Sequence, residues 1–292
     1  MSGRKNFNNE PMLVTGKDLG NINGSSSPNR EAEVWAIWQR LRNGPVPGLT
    51  IHALTTRPRD PGRPHVVLIH GLVIASSYML PLLRACGSFC VATAPDLPGY
   101  GQSDKPKQVL SLSELADSLS AWMDAAELAR AHFLGNSFGC QVLVQFAVKY
   151  PDRVDRLVLQ GPTIEPGART LRQQFFRLLK NSRRESPGLG WIMLTDYWRA
   201  GLRRVATTIR LALQDRIEEK LPSVQAPTLV VRGSRDPLVS QHWAEQVVRL
   251  LPHGALVVIP GLAHTINYTH PGELLGAVRP FLSIHDQNRL NP

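Results

Sequence analysis

Short apolar runs alternate with amphipathic helical patterns along most of the chain. Seven runs predict strands: Thr50–Leu54, His65–Ile69, Phe89–Ala94, His132–Leu134, Arg156–Leu159, Thr228–Val231 and Leu256–Ile259. Helical spacing predicts helices near Ser111–Leu128, Phe138–Lys149, Ser240–Leu250 and Pro271–Phe281. Nearly continuous apolar strands are typical of parallel sheets that are covered on both faces. The alternation therefore predicts an α/β fold with a mostly parallel central sheet and helices on both faces.

The beginning of the chain has a different composition. Residues 1–30 are rich in Asn, Ser and Gly and nearly lack aromatic residues, which predicts a disordered polar tail. No apolar segment typical of a secretory signal follows Arg4 and Lys5, and no later run is long enough for a membrane span. We therefore expect a cytoplasmic protein.

A short helix is predicted directly after this tail. Trp35, Trp38 and Leu41 recur at helical spacing, and this pattern favours a helix from Glu31 to Asn43. The helix is expected to pack on the body of the protein.

The alternation of strands and helices is interrupted once, by an inserted segment. Residues 163–222 carry helical patterns without a convincing strand, which predicts a helical cap between two parts of one core, residues 31–162 and 223–285. The stretch from Gly161 to Pro222 holds twelve Lys and Arg against six acidic residues, or +6 of the chain's net charge of +10. Such a charge favours anionic partners.

Gly-Asn-Ser-Phe-Gly at 135–139 is the strongest chemical motif. It lies between a predicted strand and a predicted helix. A sharp turn in this context pushes a serine oxygen out of the sheet, where a base can reach it. The sequence therefore predicts Ser137 as a nucleophile, and the alternative is an ordinary turn serine.

A nucleophilic serine needs an imidazole to take its proton and a carboxylate to orient the imidazole. Asp236 and His264 follow the last two predicted strands, so both are expected at the carboxyl edge of the sheet, where ligands of open α/β sheets bind. The sequence predicts His264 as general base and Asp236 as its orienting acid. His270 is the rival base and Glu165 the reserve acid.

The loop after the strand His65–Ile69 is expected to help stabilise negative charge on the substrate oxygen. Its residue Leu72 is predicted to supply one backbone N–H of an oxyanion hole, and Phe138 the other. Further candidates for the substrate pocket are His70, Gly71, Asn136 and Trp191.

Five motifs in this order resemble the α/β-hydrolase superfamily over roughly residues 49–283. They are HGL at 70–72, DLPGYGQSDKP at 96–106, GNSFG at 135–139, GSRDPLV at 233–239 and GLAHTINYTHP at 261–271. The resemblance implies the α/β-hydrolase fold, with eight strands and a helical cap after the sixth. It also implies acyl transfer to Ser137 followed by hydrolysis, with no cofactor or metal, and a structural role for Asp96.

Within the superfamily, hydrolysis of a carboxylic ester is the favoured reaction. Asn136 before the nucleophile also resembles hydrolases that cleave carbon–carbon bonds in aromatic ring-fission products. However, Thr265 follows His264 where that group commonly has tryptophan, and the Gly-Pro-Gly continuation of its oxyanion loop is absent after Leu72. A remote alternative is a non-catalytic ligand-binding module on the same fold, for which a degraded triad would be typical.

The basic cap suggests one specific partner. Some carboxylesterases act on methyl esters while an acidic acyl carrier protein presents the acyl chain, and arginines on the cap could dock such a carrier. The alternative is a solvated basic face. A specific nucleic-acid partner is not expected, because no recognisable reading motif accompanies the charge.

The three cysteines, Cys86, Cys90 and Cys140, are spaced too irregularly for a disulfide framework or a tetrahedral metal site, so we expect free or buried thiols. Cys140 directly follows the motif at 135–139, where the superfamily often has a further glycine, and Ala263 stands where it often has glycine before the histidine.

Overall fold

The computed structural model describes residues 12–13, 32–57, 63–185 and 187–283, which contain one mixed sheet with helices on both sides. Its strands are β1 (Met12–Leu13), β2 (Trp35–Arg40), β3 (Thr50–Thr55), β4 (His65–Ile69), β5 (Val91–Pro95), β6 (Ala131–Asn136), β7 (Val154–Gln160), β8 (Thr228–Gly233) and β9 (Gly254–Ile259). The α-helices are α1 (Leu80–Cys86), α2 (Leu112–Ala125), α3 (Phe138–Lys149), α4 (Leu171–Ser182), α5 (Pro187–Ala200), α6 (Leu202–Gln214), α7 (Ile217–Lys220), α8 (Gln241–Leu250), α9 (Ile266–Thr269) and α10 (Pro271–Leu282).

The spatial strand order is β1-β2-β3-β5-β4-β6-β7-β8-β9. Strands pair antiparallel from β1 to β5 and parallel from β5 to β9. This confirms the predicted α/β-hydrolase fold with its mostly parallel sheet. The resemblance implied eight strands, and the ninth is the two-residue β1.

The seven predicted strands all form, and each lies within three residues of the predicted bounds. Their apolar side chains form two cores, one on each face of the sheet. Residues of α2, α3 and α8 contribute to the first core, and residues of α1 and α10 contribute to the second. The continuous apolar runs are explained by this double coverage.

The predicted helix from Glu31 to Asn43 is wrong, because the segment forms β2. Ala36 and Trp38 pack into one core while Ile37 packs into the other, so the side chains alternate with a period of two. All six residues of β2 pair with β3, which follows after a short connection. Backbone pairing with β3 and the aromatic and β-branched side chains favour a strand, and they outweigh the helical spacing of Trp35 and Trp38.

Most of the predicted polar tail lies outside the described residues. Only Met12 and Leu13 of residues 1–30 are described, and they pair with Ala36 and Trp35 of β2. These two residues form the edge strand of the sheet.

Between β7 and β8, the described residues form the helices α4 to α7 and no strand. This segment follows the sixth strand when the two-residue β1 is set aside. It is tied to the body by polar contacts, among them the hydrogen bond from Arg177 Nη1 to the carbonyl oxygen of Leu238 at 2.9 Å. We call residues 163–222 the cap.

None of the helices in the described part of the chain is both long enough and apolar enough to cross a membrane. The three cysteines are free and buried, as predicted.

Candidate active site

Ser137 lies in a strained turn between β6 and α3. Its backbone has φ 56° and ψ −116°, a conformation that residues with a Cβ rarely adopt. A Cβ on Gly139 would lie 2.5 Å from the carbonyl oxygen of Ile69, and one on Gly135 would lie 2.8 Å from the backbone of Gly139. Glycine is therefore required at both positions, and the close packing presents Ser137 at the carboxyl end of β6.

Asp236 and His264 form a buried pair at the same edge of the sheet. Asp236 follows β8, His264 follows the neighbouring β9, and Nδ1 of His264 lies 2.7 Å from Oδ2 of Asp236. The other oxygen, Oδ1, accepts hydrogen bonds from the backbone N–H groups of Leu238 at 2.8 Å and Val239 at 3.2 Å. With the carboxylate held in this way, the proton on Nδ1 is fixed and Nε2 carries the lone pair that a general base needs.

The serine and the imidazole are not hydrogen-bonded to each other. Nε2 of His264 is buried and has no hydrogen-bond partner among the described residues. The Oγ of Ser137 lies 3.4 Å from Oγ1 of Thr163 instead. In proteins without substrate, catalytic hydrogen bonds are often long and tighten only in the complex.

Two carboxylates act on the charge of His264. Burial alone would lower the pKa of this imidazole, but the adjacent Asp236 and, after it, Glu185 raise the pKa above its ordinary value. Glu185 belongs to the cap and accepts hydrogen bonds from the backbone N–H and the hydroxyl of Thr265. The cap therefore contributes a negative charge next to the candidate base.

A buried polar network lies behind the turn. Asn136 donates to Oε1 of Gln160 at 3.0 Å and accepts from the hydroxyl of Tyr78 at 3.1 Å. Gln160 in turn donates to the carbonyl oxygen of His264 at 2.6 Å. The candidate pocket residue Asn136 is thus held in the interior, where it connects β6, β7 and the loop that carries His264.

The candidates His70 and Gly71 support the loop after β4, where Leu72 is the predicted donor. The ring of His70 is buried, accepts a hydrogen bond from the N–H of Leu97 at 3.0 Å and lies 2.9 Å from the carbonyl oxygen of Gly71. Burial also lowers the pKa of His70, which keeps the ring neutral. A Cβ on Gly71 would lie 3.2 Å from Oδ1 of Asn136, so the loop packs closely against the residue before Ser137.

Leu72 and Phe138, the predicted oxyanion donors, are placed by this loop and by α3. Phe138 is the first residue of α3, and N–H groups in the first turn of a helix have no partner within the helix. Leu72 is half-buried and is followed by Val73, whose φ of 58° is unusual for a β-branched residue. The loop therefore has a special backbone conformation at the position where a donor is expected.

The remaining candidates have other surroundings. Trp191 is 68% exposed on α5, so the structure does not bring it into the buried group. Glu165 binds Arg177 and Ser240, and the ring of His270 lies against the hydroxyl of the adjacent Thr269.

Three contacts of the candidate site were not predicted from the sequence. Thr163 and Glu185 reach it from the cap, and Gly161 contacts the imidazole, since a Cβ there would lie 2.8 Å from Cε1 of His264. Gly161 directly follows β7 at the carboxyl edge of the sheet. A glycine at this position is the one sequence signal that could have indicated the close contact with His264.

Asp96 holds the neighbouring loops together, as the resemblance implied. Its carboxylate accepts hydrogen bonds from the backbone N–H groups of Ser76 at 2.6 Å and Gln102 at 2.8 Å and pairs with His52 at 2.7 Å.

Comparison with known proteins agrees with this architecture. Residues 66–277 match the alpha/beta hydrolase family. The chain belongs to this family. At the level of the family, the protein is therefore a hydrolase.

Curated relatives of this α/β hydrolase are matched over very different shares of their length. The 2-(acetamidomethylene)succinate hydrolase of Mesorhizobium japonicum is 27% identical over 258 residues, which cover 80% of this chain and 93% of that protein. Esterase YbfF of Escherichia coli is 23% identical over 262 residues, covering 80% and 99%. The abhydrolase domain-containing protein abhd-5.2 of Caenorhabditis elegans is 30% identical over 126 residues, but this chain spans only 28% of its length.

A solved structure with the same fold is the 2-hydroxy-6-oxo-6-phenylhexa-2,4-dienoate hydrolase (BphD) of Rhodococcus sp. strain RHA1. It superposes on this α/β hydrolase with a TM-score of 0.65 and 24% sequence identity, covering 85% of this chain and 98% of that one. At this identity the likeness establishes the fold alone.

Proposed function

We propose that this α/β hydrolase cleaves a carboxylic ester, with Ser137 as nucleophile, His264 as general base and Asp236 as the orienting acid. The observation that carries the proposal is the 2.7 Å hydrogen bond between His264 and Asp236 at the sheet edge where the strained turn presents Ser137. We also propose a cytoplasmic location.

In the proposed mechanism, Ser137 Oγ turns from Thr163 to Nε2 of His264 when substrate binds. His264 takes the proton as Oγ attacks the ester carbonyl, and Asp236 stabilises the imidazolium. The N–H groups of Leu72 and Phe138 hold the developing oxyanion. The imidazolium then protonates the departing alcohol, and a water activated by the same base hydrolyses the acyl-enzyme.

Cleavage of a carbon–carbon bond in a ring-fission product is the second candidate. It is supported by Asn136 before the nucleophile and by the shared fold with the dienoate hydrolase. The support from Asn136 is weaker than its position in the sequence suggests, because Gln160 and Tyr78 engage its side chain in the interior. The named esterase among the relatives favours the ester.

The test compares wild-type protein with Ser137→Ala on p-nitrophenyl esters of increasing chain length and on one ring-fission dienoate. Ester turnover that disappears in Ser137→Ala, with an unchanged circular dichroism spectrum, is the expected result. Turnover of the dienoate alone would favour the carbon–carbon reaction. Equal ester turnover by both proteins would overturn Ser137 as nucleophile, and no turnover of either substrate class would favour a ligand-binding module.

A further inference from the structure

The cap exposes an unusual amount of apolar side chain. Among the described residues, eleven large hydrophobic side chains are exposed, and nine of them lie between Leu171 and Leu202. Trp198 is 84% exposed and Leu202 88%. Large exposed apolar areas of this kind mark interaction sites in proteins that are otherwise well packed.

Helix α4 is docked with its polar side toward the protein and its apolar side toward solvent. Gln174, Arg177 and Asn181 recur at helical spacing on the inner side. Their side chains donate hydrogen bonds to Ala168, Leu238 and Glu185, respectively. Phe176 and Leu179 lie on the opposite side, and Leu171, Phe175 and Leu178 lie next to them. All five are exposed. An ordinary surface helix has the reverse arrangement. The sequence of α4 therefore favours an outer environment that is less polar than water.

Helix α5 continues the same pattern. Trp191, Leu194 and Trp198 recur at spacings of three and four, so they form one stripe on the helix, and all are exposed. The opposite side of α5 carries Leu189 and Ile192, which are buried. The outer stripe is thus additional to the apolar side that the fold needs.

The exposed charges around these stripes are all positive. Over the described residues from 171 to 203, the exposed charged side chains are Arg172, Lys180, Arg183, Arg184, Arg199 and Arg203. The two acidic residues of this stretch are not exposed: Asp196 is buried, and Glu185 is half-buried against Thr265. The outer face of α4, α5 and the start of α6 is therefore apolar and cationic at once. We call it the cap face.

We propose that the cap face docks on an anionic lipid surface. Apolar side chains with tryptophan, flanked by Lys and Arg, are the combination by which amphipathic helices bind at the interface of a charged membrane. Lipid headgroups neutralise the cations while the stripes of α4 and α5 enter the boundary of the acyl chains. A second copy of this chain fits less well, because two such faces would oppose their like charges.

Docking would place the cap against the membrane. Within this same cap, Glu185 hydrogen-bonds to Thr265, next to His264, and Thr163 contacts Ser137, so the candidate active site adjoins the docked segment. Substrate dissolved in the lipid would then meet the protein at its cap.

The test measures cosedimentation of the full chain with two kinds of vesicle, pure phosphatidylcholine and phosphatidylcholine mixed with phosphatidylglycerol. Binding to the mixed vesicles, weakened by salt, is expected, together with a blue shift of the tryptophan fluorescence. The double variant Phe175→Ser/Trp198→Ser removes one large apolar side chain from α4 and one from α5. It should weaken binding at least ~10-fold, since neither side chain can then enter the boundary of the acyl chains.

A matched pair of charge variants distinguishes binding through the cap face from attraction by the net charge of the whole protein. Arg172→Glu/Lys180→Glu should also weaken binding at least ~10-fold, because two cations lose their attraction to the anionic headgroups and the new carboxylates are repelled by them. Lys107→Glu/Arg249→Glu makes the same change in net charge at exposed sites outside the cap face and should bind much more strongly than the cap variant.

Three results would overturn the proposal. The first is absence of binding to the anionic vesicles, and the second is equal binding by both charge variants. The third is a dimer in sedimentation velocity, or a complex with an acidic acyl carrier protein, that depends on the same side chains while vesicles do not bind. Binding is measured without turnover and can be repeated with Ser137→Ala, so its failure is distinguishable from failure of the proposed ester hydrolysis.

Discussion

Gly161 and His264 are packed so closely that only glycine fits: a Cβ on Gly161 would lie 2.8 Å from Cε1 and 2.9 Å from Nδ1 of the imidazole. Gly161→Ala is therefore expected to displace the ring from Asp236. A displacement of about 1 Å in a catalytic group can cost on the order of 100-fold in rate. We expect kcat for an ester substrate to fall about 10- to 100-fold, as measured by steady-state kinetics.

Gly261→Ala is the matched control for this prediction. Gly161 has φ +61° and Gly261 has φ +77°, so alanine is strained at both, but no atom lies within 4 Å of a Cβ on Gly261. We expect the control to lose stability while retaining most of its kcat. Equal losses of kcat in both variants would show that backbone strain, and not contact with His264, causes the effect.

The cap carboxylate Glu185 should influence the pH dependence of the reaction. A general base works only when neutral, so activity falls as pH drops through the pKa of His264, which lies above its ordinary value of 6.5. Glu185→Gln removes one of the charges that raise this pKa. The acid limb of kcat/KM should therefore move to lower pH, while the activity at its plateau is largely retained.

Glu165→Gln is the control for the pH measurement. Glu165 is also a cap carboxylate, but it binds Arg177 and Ser240. Its variant should leave the acid limb in place. A limb that does not move in Glu185→Gln, or moves equally in both variants, would contradict a direct effect of Glu185 on His264.

We expect Thr163 to compete with the imidazole for the hydroxyl of Ser137. The Oγ of Ser137 lies 3.4 Å from Oγ1 of Thr163, while Nε2 of His264 has no partner among the described residues. Thr163→Val removes the competing hydroxyl at nearly constant volume. We expect the rate of inactivation by a fluorophosphonate, which reports the reactivity of Ser137, to stay equal or to rise a few-fold.

A loss of reactivity in Thr163→Val would show instead that the hydroxyl of Thr163 assists the nucleophile. Thr208→Val serves as the control, since Thr208 is another buried threonine of the cap and its hydroxyl lies 2.6 Å from that of Tyr100. It should not change the inactivation rate.

The sequence predicted the parts of the molecule in which neighbouring residues determine the structure. Apolar runs located the parallel strands, and the flanking glycines of Ser137 identified a turn that the packing indeed requires. The positions of Asp236 and His264 followed from the rule that parallel strands end at one edge. Local spacing failed at Trp35 and Trp38, where pairing with β3 decides the conformation.

Contacts between distant segments could not be predicted in this way. Glu185 approaches the candidate site only because the end of α4 folds back to Thr265, 80 residues along the chain, and no local pattern encodes that return. The outward stripe of α4 was equally hidden, since helical periodicity reveals that a helix has an apolar side but not which side faces the protein.

Asp196 should make the stability of the protein depend on pH. It is buried on α5, its Oδ2 has no hydrogen-bond partner among the described residues, and burial followed by the charge of Asp96 raises its pKa from 3.8 to about 6. The folded protein therefore holds this proton more tightly than the unfolded chain. The free energy of unfolding should fall as pH rises from about 4 to about 6 and stay lower above that range.

Asp196→Asn tests this dependence, because a neutral amide in place of the carboxylate removes the buried charge. We expect the variant to be more stable than wild type at pH 7, by about 1 to 3 kcal/mol from the size of the pKa shift, and the two proteins to converge below pH 4. Urea unfolding across this pH range measures both effects. Asp152→Asn, at an exposed carboxylate, is the control and should keep the wild-type dependence. If the stability of Asp196→Asn has the same pH dependence as that of wild type, the buried carboxylate is not the source of this dependence.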